Sequence, residues 1–291
     1  MGRAYVAIGI TTLLWAINFK VGKIGTAEID PFFIASFRII VTGAFFYSLL
    51  KPEDRKLRKT DWKDIWPLAL TGIAMNHVCF ASGIKLTLPS HSAVIHALIP
   101  GFVAIVAWIV LRETLTPLQM LGIIVALAGT LTVVLGVPRA EFSGTIWGDL
   151  ITMGGISAFS IYTVFGRRVM SEMGSRRAVT LAFLFAAPVM VPLLVFGAMR
   201  VDWVHVTWRG WAALAYMLIF ANMVCYLLHS YALARLKAGQ VAAFTNLQPA
   251  IAIGIAAATG DKARPSLLIG AAIALLGVVL VQLRRPGPAV E

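Results

Sequence analysis

Residues 116–129 read TPLQMLGIIVALAG, and residues 264–277 read RPSLLIGAAIALLG. The proline and both glycines fall in register, 148 residues apart. One such match between apolar segments means little, because Leu, Ala, Gly and Val dominate all of them. Working outward, three more matches keep the same order. HSAVIHALIP at 91–100 lines up with QVAAFTNLQP at 240–249, NHVCF at 76–80 with NMVCY at 222–226, and more weakly WAINFKVGK at 15–23 with FSIYTVFGR at 159–167. Their offsets are 149, 146 and 144. Four ordered matches at nearly constant offset predict a duplication, with one copy over 1–141 and the second over 142–291.

Composition sets the environment of both copies. Apolar residues make up 59% of the 291 and charged residues 13%, against roughly 45–50% and about 25% in soluble domains. No soluble protein of this length has an interior for that much apolar surface, so a polytopic all-α membrane protein is expected. The net charge of +12 does not imply a nucleic-acid partner, because the basic residues sit in short clusters between apolar spans. Cys79 and Cys225 both lie in apolar spans, without a CxxC motif or a disulfide framework, and read as small packing residues. The opening MGRAYVAIGITTLLWAINFKVG runs straight into a full-length span and reads as the first helix rather than a cleaved signal.

A helix needs roughly 20 apolar residues to cross a bilayer. Ten spans are predicted, at 4–23, 31–50, 65–84, 86–111, 115–137, 147–167, 178–199, 209–234, 238–260 and 265–283. Placing the N-terminus in the cytoplasm puts 16 Lys and Arg on that side and 7 on the other, with Lys20 and Arg38 inside spans. That asymmetry predicts both termini in the cytoplasm. Five helices per copy is an odd number, so the second copy must start on the opposite face. The copies are then inverted repeats about an axis in the membrane plane, an arrangement that holds substrate between the halves near the midplane.

Ten helices, two five-helix repeats, LLWAINFKVGK…PFFIASFR at the start and the proline-glycine helix closing each half resemble the EamA branch of the drug/metabolite transporter superfamily. Within that branch the chain is similar to YddG-type bacterial amino-acid exporters. The resemblance covers essentially the whole chain. It implies a multi-pass protein of the bacterial inner (cytoplasmic) membrane that exports amino acids, aromatic ones included, by alternating access. Other small polar metabolites or drugs are the alternative cargo.

The polar groups inside the spans suit a central cavity. Ser92, His96 and Pro100 are spaced i, i+4, i+8 and share a face at midplane depth. Thr245, Gln248, Pro249 and, to one side, Asn246 occupy the matching place in the second copy. Each proline frees the carbonyl four residues earlier, at His96 and at Thr245, which is tolerable only where water, protein or substrate satisfies it. Trp15, Tyr162, Asn76, His77, Asn222 and Tyr226 fall at comparable depth, and together these residues are expected to bind substrate through amide, imidazole and aromatic groups. The competing reading is that such polar groups only join neighbouring helices. Lys20 and Arg38 lie a turn or two inside the outer span ends. They are expected to snorkel to the interface as anchors or gate elements, with Pro100 and Pro249 as helix breaks. His91 is expected to meet water at the outer boundary.

No Asp or Glu lies near the centre of any span. Hydrophobic cations are therefore disfavoured as cargo, and any proton coupling would run through histidine. No HExxH, paired midplane aspartates or GxSxG occurs, so no enzyme activity, metal or cofactor is expected. The expected partners are a small-molecule substrate and the lipid bilayer, with no obligate protein partner.

Overall fold

Backbone polar groups in hydrocarbon must be satisfied within the chain, and a helix does this along its whole length. Every regular element among the described residues is accordingly helical. The computed structural model describes residues 2–56, 59–111, 116–135, 139–236, 238–244, 247–258 and 265–282. The first half contains α1 (Gly2–Glu28), α2 (Pro31–Ser48), a 3₁₀ turn (Pro52–Arg55), and α3 (Lys59–Pro67). A π-helical stretch, Leu68–Met75, then leads into α4 (Asn76–Leu86), followed by α5 (Pro89–His96), α6 (Ile99–Leu111) and α7 (Pro117–Leu135). The second half contains α8 (Arg139–Met173), α9 (Ser175–Ala198) and α10 (Trp208–Leu218), and a second π-helical stretch, Ile219–Val224. It ends with α11 (Cys225–Leu233), α12 (Ala238–Phe244), α13 (Leu247–Ala258) and α14 (Pro265–Gln282).

Seven helical stretches among the described residues are long and apolar enough to cross a membrane, and Pro117–Val133 and Pro265–Leu280 are shorter apolar helices. Of the stretch expected at 238–260, the described residues form α12 and α13. The stretch expected as one helix over 86–111 is interrupted. α5 ends at His96, the chain turns through Ala97 and Leu98, and α6 starts at Ile99 with Pro100 in its first turn. Proline lacks the N–H that would continue the ladder but suits the start of a new helix. Pro249, the residue matching Pro100 in the second half, lies within α13. Large apolar side chains such as Trp108, Ile124, Leu131, Trp147, Val195 and Leu276 face outward, as a lipid-facing surface requires.

The packing is symmetric under exchange of the halves. α7 packs on α14 and α2 on α9; α4 packs on α8 as α11 packs on α1; α6 packs on α8 as α13 packs on α1. Polar ties hold the ends of the bundle. Asp30 caps α2 by accepting from the Phe32 amide at 2.9 Å, and its other oxygen pairs with Arg200 Nε at 3.1 Å. Glu28 accepts from both the amide and the hydroxyl of Thr207, the residue that caps α10. Lys23 donates to the carbonyls of Lys85 and Thr87, placing a cation at the C-terminus of α4. Arg177 is buried near the start of α9. It donates from Nη2 to Asp61 at 2.6 Å and to the Lys56 carbonyl, and from Nε to the Asp54 carbonyl, fastening the 3₁₀ turn and α3 to α9.

Candidate functional site

A π-helical stretch carries one more residue per turn than its hydrogen bonds accommodate, and so leaves carbonyls available to other groups. Both π-helical stretches use this in the same way. Trp15 Nε1 on α1 donates to the Ala221 carbonyl at 2.9 Å, and the Tyr226 hydroxyl on α11 donates to the Gly72 carbonyl at 3.1 Å. The two carbonyls are 149 residues apart, close to the repeat offset. The aromatic rings so fixed lie beside one another, with centroids 5.9 Å apart. Phe159 on α8 stands edge-on to Trp15 at 5.7 Å, and His229 packs against both.

The rings of Trp15, Phe159 and Tyr226 line a cavity between the two halves. Trp15, Asn18, Arg38, Asn76, His77 and His96 line it from the first half, and Phe159, Ala221, Tyr226 and Gln248 from the second, with Phe19, Phe80 and Ile99 adding apolar surface. His96, the last residue of α5, stands edge-on to Phe19 with centroids 4.9 Å apart. Its Nδ1 donates to the Ser92 carbonyl at 2.7 Å, which leaves Nε2 of the neutral ring as an acceptor. Asn76 donates to the Tyr226 hydroxyl at 3.3 Å. That hydroxyl therefore joins α4 to the π-helical stretch through the second half.

Behind the wall lies a buried polar cluster. Asn222 accepts on Oδ1 from Arg38 Nη2 at 3.0 Å, and the same oxygen lies 2.6 Å from His77 Nε2. Its Nδ2 donates to the Arg38 carbonyl at 3.2 Å and to the Thr42 hydroxyl at 3.1 Å. One fully buried side chain thereby joins α2, α4 and the second π-helical stretch. The other ring nitrogen of His77 lies 2.7 Å from the Ile73 carbonyl. A neutral imidazole can donate to only one of these two oxygens at a time. Arg38 is 3% exposed, and its Nε and Nη1 have no hydrogen-bond partner.

Of the residues expected to bind substrate, Trp15, Asn76, His77, His96, Tyr226 and Gln248 line this cavity. Asn222 stands behind it. Tyr162 is fully buried and stacks on Phe159 without lining the space, and Ser92 contributes only its carbonyl, beneath His96. Thr245 and Asn246 lie outside the described residues. Pro100 lies in the first turn of α6, after the break at Ala97–Leu98, and Pro249 lies within α13. Lys20 is half-buried, whereas Arg38 does not snorkel: it is held within the bundle by Asn222 and faces the cavity. His91, expected to meet water, is 4% exposed, with Nδ1 3.4 Å from Asp149, whose other oxygen accepts from Thr87. The sequence reading missed Asn18, one turn beyond Trp15 on the same face, together with Phe19 and Phe80. The i, i+3 spacing from Trp15 was the available signal.

Tyr226→Phe is expected to keep the ring packing while orphaning the Gly72 carbonyl and the Asn76 amide. The cost should be about 1 kcal/mol, read as a thermal midpoint a few degrees lower for detergent-purified protein. An unchanged midpoint would mean that this hydroxyl does not fasten the π-helical stretch.

A family model described as the EamA-like transporter family matches residues 2–135 and again residues 146–283. Among curated relatives, the uncharacterized transporter YyaM of Bacillus subtilis is 28% identical over 281 residues, covering 94% of this chain and 92% of that one. A probable terminal-alkyne amino-acid exporter of Streptantibioticus cattleyicolor is 24% identical, covering 99% and 96%. A solved crystal structure at 18% identity superposes with a TM-score of 0.68 over 97% of each chain, which supports the fold alone.

Proposed function

The chain belongs to the EamA-like transporter family, matching its model once in each half, and on that premise we propose that it exports amino acids, aromatic ones included, from the bacterial cytoplasm. The observation that carries this reading is a cavity built from both halves beside the turn between α5 and α6, lined by aromatic, amide and imidazole groups. Half-helices that meet inside a membrane leave backbone and side-chain polar groups turned toward a substrate rather than toward lipid. An amino acid brings one apolar part, which Trp15, Phe159 and Tyr226 suit, and two polar groups, which the amides and imidazoles suit. The relative named as a probable amino-acid exporter supports the same cargo.

Counting α5–α6, α12–α13 and each π-interrupted rod as one crossing apiece gives ten, grouped as 1–141 and 142–291. The symmetric packing of α7 on α14 and α2 on α9 supports two repeats. The excess of Lys and Arg in alternate loops supports cytoplasmic termini and an inverted relation between the repeats. Alternating access then consists of the two halves exchanging conformations about the shared cavity, with the turn at Ala97–Leu98 as a point that yields.

Reconstituted protein should give saturable phenylalanine and tryptophan flux in proteoliposomes, each amino acid competing with the other. Replacing Trp15, Asn76 and His96 together with alanine should reduce that flux at least tenfold while the protein remains monodisperse. Normal flux in the triple variant would remove the cavity as the route. Failure of both amino acids to be carried, with another solute carried instead, would transfer the site to other polar metabolites or drugs.

A further inference from the structure

Arg38 has the least satisfied environment in the cavity wall. A guanidinium keeps its charge and offers five N–H donors, yet among the described residues its one side-chain hydrogen bond is Nη2 to Asn222, a neutral amide. Nε and Nη1 are buried without a partner. No ion pair to Arg38 occurs among the described residues, and no acidic side chain is among those lining the cavity. The buried carboxylates have other partners: Asp30 pairs with Arg200, Asp61 with Arg177 and Asp149 with His91. A buried charge left uncompensated within a membrane is costly and marks a site for an opposite charge. That missing charge is on no described side chain of this protein.

Two other lining residues have the complementary deficit. Asn18 Oδ1 on α1 and Gln248 Oε1 on α13 are buried without a donor, and both residues line the same cavity. α1 and α13 pack against each other, so the two acceptors come from adjoining helices, whereas Arg38 comes from α2. We infer that Arg38 receives the carboxylate of a zwitterionic substrate while Asn18 and Gln248 receive its ammonium, making Arg38 the residue that selects carboxylate-bearing cargo. This assignment rests on the amino-acid reading of the same cavity. Donors remain on both edges of the guanidinium plane, so a carboxylate accepts charge-assisted bonds without displacing Asn222. The aromatic wall of Trp15, Phe159 and Tyr226 lies beside the remaining apolar part of the molecule.

The test uses the purified full chain in nanodiscs, with binding measured by titration calorimetry. The ligand series comprises the twenty amino acids, their carboxamides, phenethylamine and 3-phenylpropionate. The expected result is that at least one amino acid binds ten times or more tightly than its own carboxamide, with phenethylamine as weak as the carboxamides. In Arg38→Gln that preference should collapse to less than threefold, and Arg38→Lys should restore part of it. The ligand series on the unaltered protein decides the question even where a variant fails to fold. Equal binding of amino acids and carboxamides, or full preference retained in Arg38→Gln, overturns the assignment. Binding of 3-phenylpropionate that depends on Arg38, without binding of any amino acid, sinks the amino-acid reading while upholding the role of Arg38. Binding of phenethylamine alone sinks both.

Discussion

Replacing Gly129 by valine is expected to eliminate folded protein, leaving aggregated material where the unaltered chain gives a monodisperse peak. A Cβ at Gly129 would stand 2.3 Å from the Ala274 nitrogen and 2.7 Å from the Gly270 carbonyl oxygen. A Cβ at Gly277 would stand 2.2 Å from the Ala126 nitrogen and 2.6 Å from the Gly122 oxygen. These obstacles are backbone atoms, not side-chain tips that could rotate aside. α7 and α14 therefore meet backbone to backbone along Gly122, Ala126 and Gly129 on one side and Gly270, Ala274 and Gly277 on the other. Close approach of this kind is how helices associate in lipid, where no hydrophobic driving force distinguishes helix from solvent. Overpacking ordinarily costs about 1–3 kcal/mol, and a seam that must open along its length will exceed that. Gly277→Val should behave in the same way. Gly9→Ala, where an added Cβ meets nothing within 4 Å, should be neutral when followed by size-exclusion chromatography and thermal unfolding. Recovery of normally folded Gly129→Val would show that the seam is looser than its geometry.

This seam was the most legible part of the chain, because the glycines that make it possible appear in the sequence as glycines. The break between α5 and α6 was half legible. Proline at 100 announces a fault in the ladder, but whether a helix kinks or ends there depends on what packs around it. Nothing in the residue types of LALTGIAM at 68–75 announces a π-helical stretch, so the two carbonyls held by Trp15 and Tyr226 could not be foreseen. Periodicity identified faces and depths, which brought Trp15, Asn76, His96 and Gln248 to the cavity. It could not identify partners distant in sequence. Arg38 reads as a snorkelling cation until Asn222, 184 residues away, is seen to hold its fork inside the bundle. His91 reads as wetted until Asp149, 58 residues away, is seen beside it.

Asn222→Leu is expected to destabilise the protein by about 3 kcal/mol or more, because breaking a buried contact to a charge costs far more than losing a neutral bond. Leucine would leave Arg38 with no side-chain partner and remove the contacts to His77 and Thr42 in one step. Transport should fall at least tenfold in whatever protein folds, although Asn222 does not itself line the cavity. On the assignment of Arg38 proposed above, it is a positioning residue that holds the guanidinium at the cavity wall. Asn222→Asp separates the two effects. The carboxylate keeps an acceptor for Arg38 Nη2 and supplies the charge that the cavity otherwise lacks. It gives up the Nδ2 bond to the Arg38 carbonyl, so it should unfold below the unaltered protein but well above Asn222→Leu. Its arginine is then already neutralised, and affinity for carboxylate-bearing ligands should fall by tenfold or more while carboxamides are unaffected. Thermal unfolding ranks the three proteins, and ligand titration on the aspartate variant reads the charge. An aspartate variant that kept full affinity for a carboxylate would mean that the charge on Arg38 is not what the substrate meets.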